Sequence, residues 1–149
     1  MLKATNQSWS GTRWQISADD GQPAATLELA SIRSAATWSL GGRQFRLFRE
    51  QGGERALALE ADGQRLATAT RTSLWRRTFI VRAGGDEWTL AMVSAWKGAW
   101  ELSGPAGALG RIQPVGVWRR SALIDLPDEL PIELRIFLAA IVLLFARDD

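Results

Sequence analysis

From Arg13 to Asp125 the chain repeats one pattern: short runs in which apolar and polar residues alternate, cut by turn residues. The cuts are Asp19-Asp20-Gly21, Gly41-Gly42, Gly52-Gly53, Asp62-Gly63, Gly84-Gly85-Asp86 and Gly104-Pro105-Ala106-Gly107. Period-two alternation between Gly- and Asp-rich turns is the signature of a half-buried antiparallel meander. In TLELA, Leu27 and Leu29 share one face and Glu28 takes the other. RALALEADG repeats this with Leu57 and Leu59 against Glu60. Phe79 and Val81, then Trp88, Leu90 and Met92, then Trp100 and Leu102, continue it. The pattern predicts ten to twelve strands over roughly residues 10–125, with no helix among them.

The segment LPDELP (126–131) ends the alternation. Asp128 reads as a helix N-cap, Glu129 and Glu133 suit the positive end of a helix, and Pro131 fits its first turn. Residues 132–147 are rich in Leu, Ile and Ala on every side of the expected helix, so it needs burial all round, in protein or in lipid. The uninterrupted apolar run is Ile136–Ala146, closed by Arg135 and by Arg147-Asp148-Asp149. At about 1.5 Å per residue that run spans about 16 Å, roughly half the hydrocarbon thickness of a bilayer. Lengthening it would carry Glu133 into lipid, at high cost. The helix is therefore expected inside protein. A meander this wide curls and closes, and its lumen is too large for its own side chains to fill. The expected fold is mainly β: one domain over 1–149, a closed antiparallel barrel of about twelve strands wrapped around a C-terminal hydrophobic helix at about 129–147.

Composition narrows the chemistry. The chain has no His, Cys or Tyr, which removes the commonest general base, the commonest zinc ligand, thiolate sites and disulfides. No cofactor and no metal are expected, and a binding protein is expected rather than an enzyme. The N-terminus has no apolar run, so a cytoplasmic protein that is not secreted is expected. Net charge is +2, but residues 1–124 hold sixteen Lys and Arg against ten Asp and Glu, whereas residues 125–149 hold two against six.

The closing segment, ALGRIQPVGVWRRSALIDLPDELPIELRIFLAAIVLLFA, carries a family likeness. A Gly-x-Ile strand, a basic strand, an acidic Asp-Leu-Pro link and a hydrophobic helix follow one another. In this order it resembles the end of the tubby C-terminal-like superfamily, which includes tubby proteins, LURP-one-related proteins and phospholipid scramblases. The resemblance implies a twelve-stranded barrel around a central helix and a role at anionic phospholipid headgroups or a membrane-associated partner. The calcium and cysteine-rich segments of scramblases have no counterpart here, and no ligand residue is carried over.

One internal echo supplies candidate residues. Trp75-Arg76-Arg77 and Trp118-Arg119-Arg120 each open a strand. An indole at a membrane interface beside paired guanidiniums suits an anionic headgroup. The same residues also suit a barrel rim whose arginines face water or pair with acids. Arg43, Arg46 and Arg49 lie among aromatics, but the modest net charge argues for a solvated strand face, and no nucleic-acid partner is expected. The acidic turns could supply calcium ligands or a hydrolase carboxylate pair, yet Asp and Gly stand where turn chemistry already places them. A protein partner, bound as by an inhibitor subunit, is the alternative to lipid, and a carboxylate-dependent hydrolase is a further one.

Overall fold

The computed structural model describes residues 1–30, 36–50, 56–72, 77–94, 96–116 and 120–148. Twelve strands are present: β1 (Leu2–Asn6), β2 (Arg13–Ser17), β3 (Pro23–Leu29), β4 (Ala36–Leu40), β5 (Arg43–Arg49), β6 (Ala56–Ala61), β7 (Gln64–Arg71), β8 (Thr78–Ala83), β9 (Asp86–Ser94), β10 (Ala99–Gly104), β11 (Gly107–Val115) and β12 (Ser121–Asp125). One helix follows, α1 (Ile132–Asp148). Each strand pairs antiparallel with its neighbour in sequence, and β1 pairs with β12 through Leu2↔Ile124 and Ala4↔Ala122, closing the barrel. The expected fold is the one found.

The alternation read from the sequence sets the inside. Leu27, Leu47, Leu59, Val81, Leu90, Leu102, Ile112 and Ile124 are all buried on the inner wall. From Ile136 through Leu144 every residue of α1 is buried, none more than 4% exposed. No face of the helix meets water, which is why its apolar residues follow no stripe. No charged or polar residue is buried among the described residues. No helix among them is long and apolar enough to cross a membrane.

Two local readings change. Asp128 does not cap α1. The Pro131 carbonyl accepts the first helical bonds, from Leu134 N (3.0 Å) and Arg135 N (3.1 Å). Asp128 lies a turn earlier, where Leu130 N donates to the Pro127 carbonyl (3.1 Å), and it pairs with Arg135 at 3.6 Å. Arg135 also donates from Nε to the Leu130 carbonyl (3.1 Å), which turns the cation that precedes the apolar run back toward the lead into α1. The second change is β1, which lies ahead of the expected strands. Its inward residues are only Leu2 and Ala4, too brief a pattern to stand out, yet it supplies the closing ladder.

Tight turns hold one end together. Gly41-Gly42, Asp62-Gly63 and Gly84-Gly85 all have positive φ at both central positions, as two-residue hairpins require of a right-twisted sheet. Gly110 meets a different demand. The β10–β11 register shifts beside it, and a Cβ there would run into the Asp125 carbonyl oxygen and come within 3.1 Å of the Leu126 Cα.

Two stability outcomes follow. Removing residues 131–149 abolishes the cooperative urea transition, whereas Phe137→Ala keeps it and lowers stability by roughly 3–5 kcal/mol. Gly110→Ala lowers stability by about 1–3 kcal/mol through overpacking at the β12–α1 junction, measured in the same way. A truncated chain that still unfolds cooperatively would show that the helix is not the core.

Candidate functional site

Strand alternation sorts the connections into two ends. The β2–β3, β4–β5, β6–β7, β8–β9 and β10–β11 connections, with the lead into α1, share one end; the other six share the opposite end. The first is the acidic end. It carries Asp19, Asp20, Asp62, Asp86, Glu87, Asp128, Glu129 and Glu133. Its arginines are paired: Arg43 with Asp62 (3.0 Å), Arg82 with Glu87 (2.9 Å) and Arg135 with Asp128 (3.6 Å). The acidic turns serve the turns themselves, as where Gln22 N donates to Asp20 Oδ1 (2.9 Å). Among the described residues no group of three or more acidic side chains could hold a metal ion.

The wall uses arginine as a cross-strand partner. Arg13 and Glu28 stand opposite each other at 2.8 Å, as do Arg46 and Glu60 at 3.5 Å and Arg111 and Glu101 at 3.5 Å. These pairs cover the outer face with charges that neutralise one another. A groove of about 470 Å³ runs along the outer wall between Arg65, Thr68, Arg82 and Glu87. It includes Asp86, but consecutive strand residues point to opposite faces, so Asp86 and Glu87 do not converge as a catalytic pair.

The second end is the basic rim. Arg49 and Arg71 finish β5 and β7 there, and Arg77, Lys97 and Arg120 lie in its connections. Arg71 and Arg77 place their guanidiniums 5.1 and 5.8 Å from the centre of the Phe145 ring, within cation–π range. Phe145 in turn meets Phe79 and Trp100 edge-on at 5.6 and 5.3 Å. This stack plugs the barrel mouth, and the two cations lie over the negative end of the helix dipole, where they stabilise α1. Arg77 also donates from Nη1 to the Met92 sulfur (3.7 Å). Arg120 is exposed, with its guanidinium 5.7 Å from the centre of the Trp9 ring. Lys97, beside Trp96, is exposed as well.

Of the six residues singled out by the Trp-Arg-Arg echo, Trp75, Arg76, Trp118 and Arg119 lie outside the described residues. Arg77 and Arg120 fall on the same rim but contact different rings, Phe145 and Trp9, so the structure does not bring them into one cluster. The echo missed Trp9, Trp96 and Lys97. Their position on the rim depends on which end each connection occupies, and no local pattern reports that.

Compared with family models, curated proteins and solved structures, the chain matches none, so the functional reading rests on this geometry.

Arg82 and Glu87 are both exposed and lie directly opposite. A double-mutant cycle of Arg82→Ala and Glu87→Ala, followed by urea unfolding, gives a coupling under about 1 kcal/mol. A coupling several times larger would make the wall arginines main supports of the barrel.

Proposed function

We propose that this barrel is a non-enzymatic binding module that attaches to anionic phospholipid surfaces through its basic rim. The observation that carries the reading is the segregation of charge along the barrel axis. Arg49, Arg71, Arg77, Lys97 and Arg120 gather at one end, where Glu50 is the nearest described acid in sequence to any of them. The acidic turns gather at the other end. A single basic face is the electrostatic footprint of a protein that meets an extended anionic surface. The two Trp-Arg-Arg segments, with Trp75, Arg76, Trp118 and Arg119, enter this reading through their sequence. The resemblance to tubby-like barrels points the same way, and attachment of this kind places the protein at the periphery of a membrane.

Arg71 and Arg77 also serve the helix terminus, so the exposed cations are the cleaner probes. In flotation with phosphatidylcholine–phosphatidylserine vesicles, the protein floats, and high salt releases it. Lys97→Ala and Arg120→Ala each weaken binding by about 1 kcal/mol, whereas Arg82→Ala on the opposite end leaves it unchanged. Binding that ignores both salt and anionic lipid would sink the proposal. A stoichiometric protein partner that co-purifies and blocks the rim would replace lipid with protein as its target.

A further inference from the structure

Four of the described tryptophans, Trp14, Trp38, Trp88 and Trp100, are buried or half-buried. Trp9 and Trp96 are the opposite extreme, 99% and 90% exposed. Indole is amphipathic, and presenting two of them almost wholly to water is unfavourable unless another phase receives them. Both lie on the basic rim, Trp9 between β1 and β2 and Trp96 between β9 and β10.

The connections that carry them are internally bonded. In the first, Ser8 Oγ accepts from the backbone N–H of Thr12 (3.0 Å) and of Arg13 (3.1 Å). Ser8 N donates to Asn6 Oδ1 (2.9 Å), and Ser10 Oγ and Thr12 Oγ1 share a bond of 2.8 Å. Buried Trp14 donates from Nε1 to the Gly11 carbonyl (3.1 Å), which ties the loop to the core. This loop bonds Ser8, Ser10 and Thr12 within itself and sends its one large apolar side chain outward. The second connection is bonded from Lys97 N to Ser94 Oγ (3.2 Å). The Arg120 guanidinium stands beside the Trp9 ring, and Lys97 directly follows Trp96 in sequence. Ring beside cation, on a preformed loop, is the composition of a membrane-interface anchor.

We infer that the barrel docks end-on, with the indoles of Trp9 and Trp96 in the headgroup–acyl boundary of an anionic bilayer and the acidic end turned away from it. The inference rests on the proposed attachment to anionic phospholipid and adds its depth and its orientation. The two connections lie on different sectors of the rim, with β12 and β11 between them on one side. Two anchors set apart on one ring hold the barrel against tipping except about the line that joins them, where a single anchor would leave it free to tip in every direction. Because α1 begins at the acidic end and finishes at the rim, its C-terminus faces the lipid.

The chain has no cysteine, so one introduced thiol takes one dye. Ser10→Cys lies in the β1–β2 connection and Ala106→Cys in the β10–β11 turn at the opposite end, and both positions are exposed. Each carries a solvatochromic thiol-reactive dye and is mixed with phosphatidylcholine–phosphatidylserine vesicles, with flotation measured on the same samples. The dye at position 10 shifts to the blue and the dye at position 106 does not. The Trp9→Ala/Trp96→Ala double variant keeps its melting transition, keeps salt-sensitive binding, and loses about tenfold in affinity. Flotation without a blue shift at position 10, equal shifts at both positions, or an unchanged affinity of the double variant overturns end-on insertion and leaves electrostatic attachment standing. Failure of the unmodified protein to float overturns the attachment itself.

Discussion

The structure depends on the desolvation of the central run of α1, Ile136–Leu144. A helix with an apolar stripe can rest on a flat sheet, but a helix apolar on every side needs a wall that goes all the way round. The run Ile136–Leu144 imposes that requirement. It explains why the sheet closes, why twelve strands suit it, and why no charged or polar residue is buried among the described residues. Closure also satisfies the two strand edges that an open meander would leave, since the first strand meets the last at Leu2↔Ile124.

With the interior fully used for packing, specificity passes to the outside. The outer wall is a ladder of opposed Arg and Glu that cancel locally, as at Arg13–Glu28 and Arg111–Glu101. The acidic end spends its carboxylates on turns and on three arginines. What differs is the rim, where Arg71 and Arg77 cover the mouth above Phe145 and where Arg120, Lys97 and two outward tryptophans face water. The rim thus joins a structural duty, closing the helix end, to a surface suited to a charged and partly apolar partner.

Most of the fold was legible because its signals are local. Leu27 and Leu29 about Glu28 declare a one-sided strand, and Asp62-Gly63 declares the turn that both positive φ values require. The helix declared itself by length and by the lack of a stripe. The missed features are those whose meaning is not local. Leu2 and Ala4 make a strand only because β2 and β12 wait on either side. Asp128 looks like a cap until Arg135 and Pro131 take their places around it. The rim was the least legible. A tryptophan in a turn reads the same at either end of a barrel, and only counting hairpins shows that Trp9, Trp96, Arg77 and Arg120 share one.

The order of elements along the chain has a consequence for how the molecule comes to exist. Every strand of the wall precedes the helix that fills it, and the wall closes only when β12 reaches back to β1. During synthesis the inner faces of β2 to β11 are made before anything is available to cover them. Pairing between the two extremes of the chain also carries a large loop-closure entropy, which slows folding. The nascent barrel is therefore an incomplete, apolar and edge-bearing sheet until β12 and α1 emerge, the stage at which such chains associate wrongly. Folding of this protein is a late event that waits on its core.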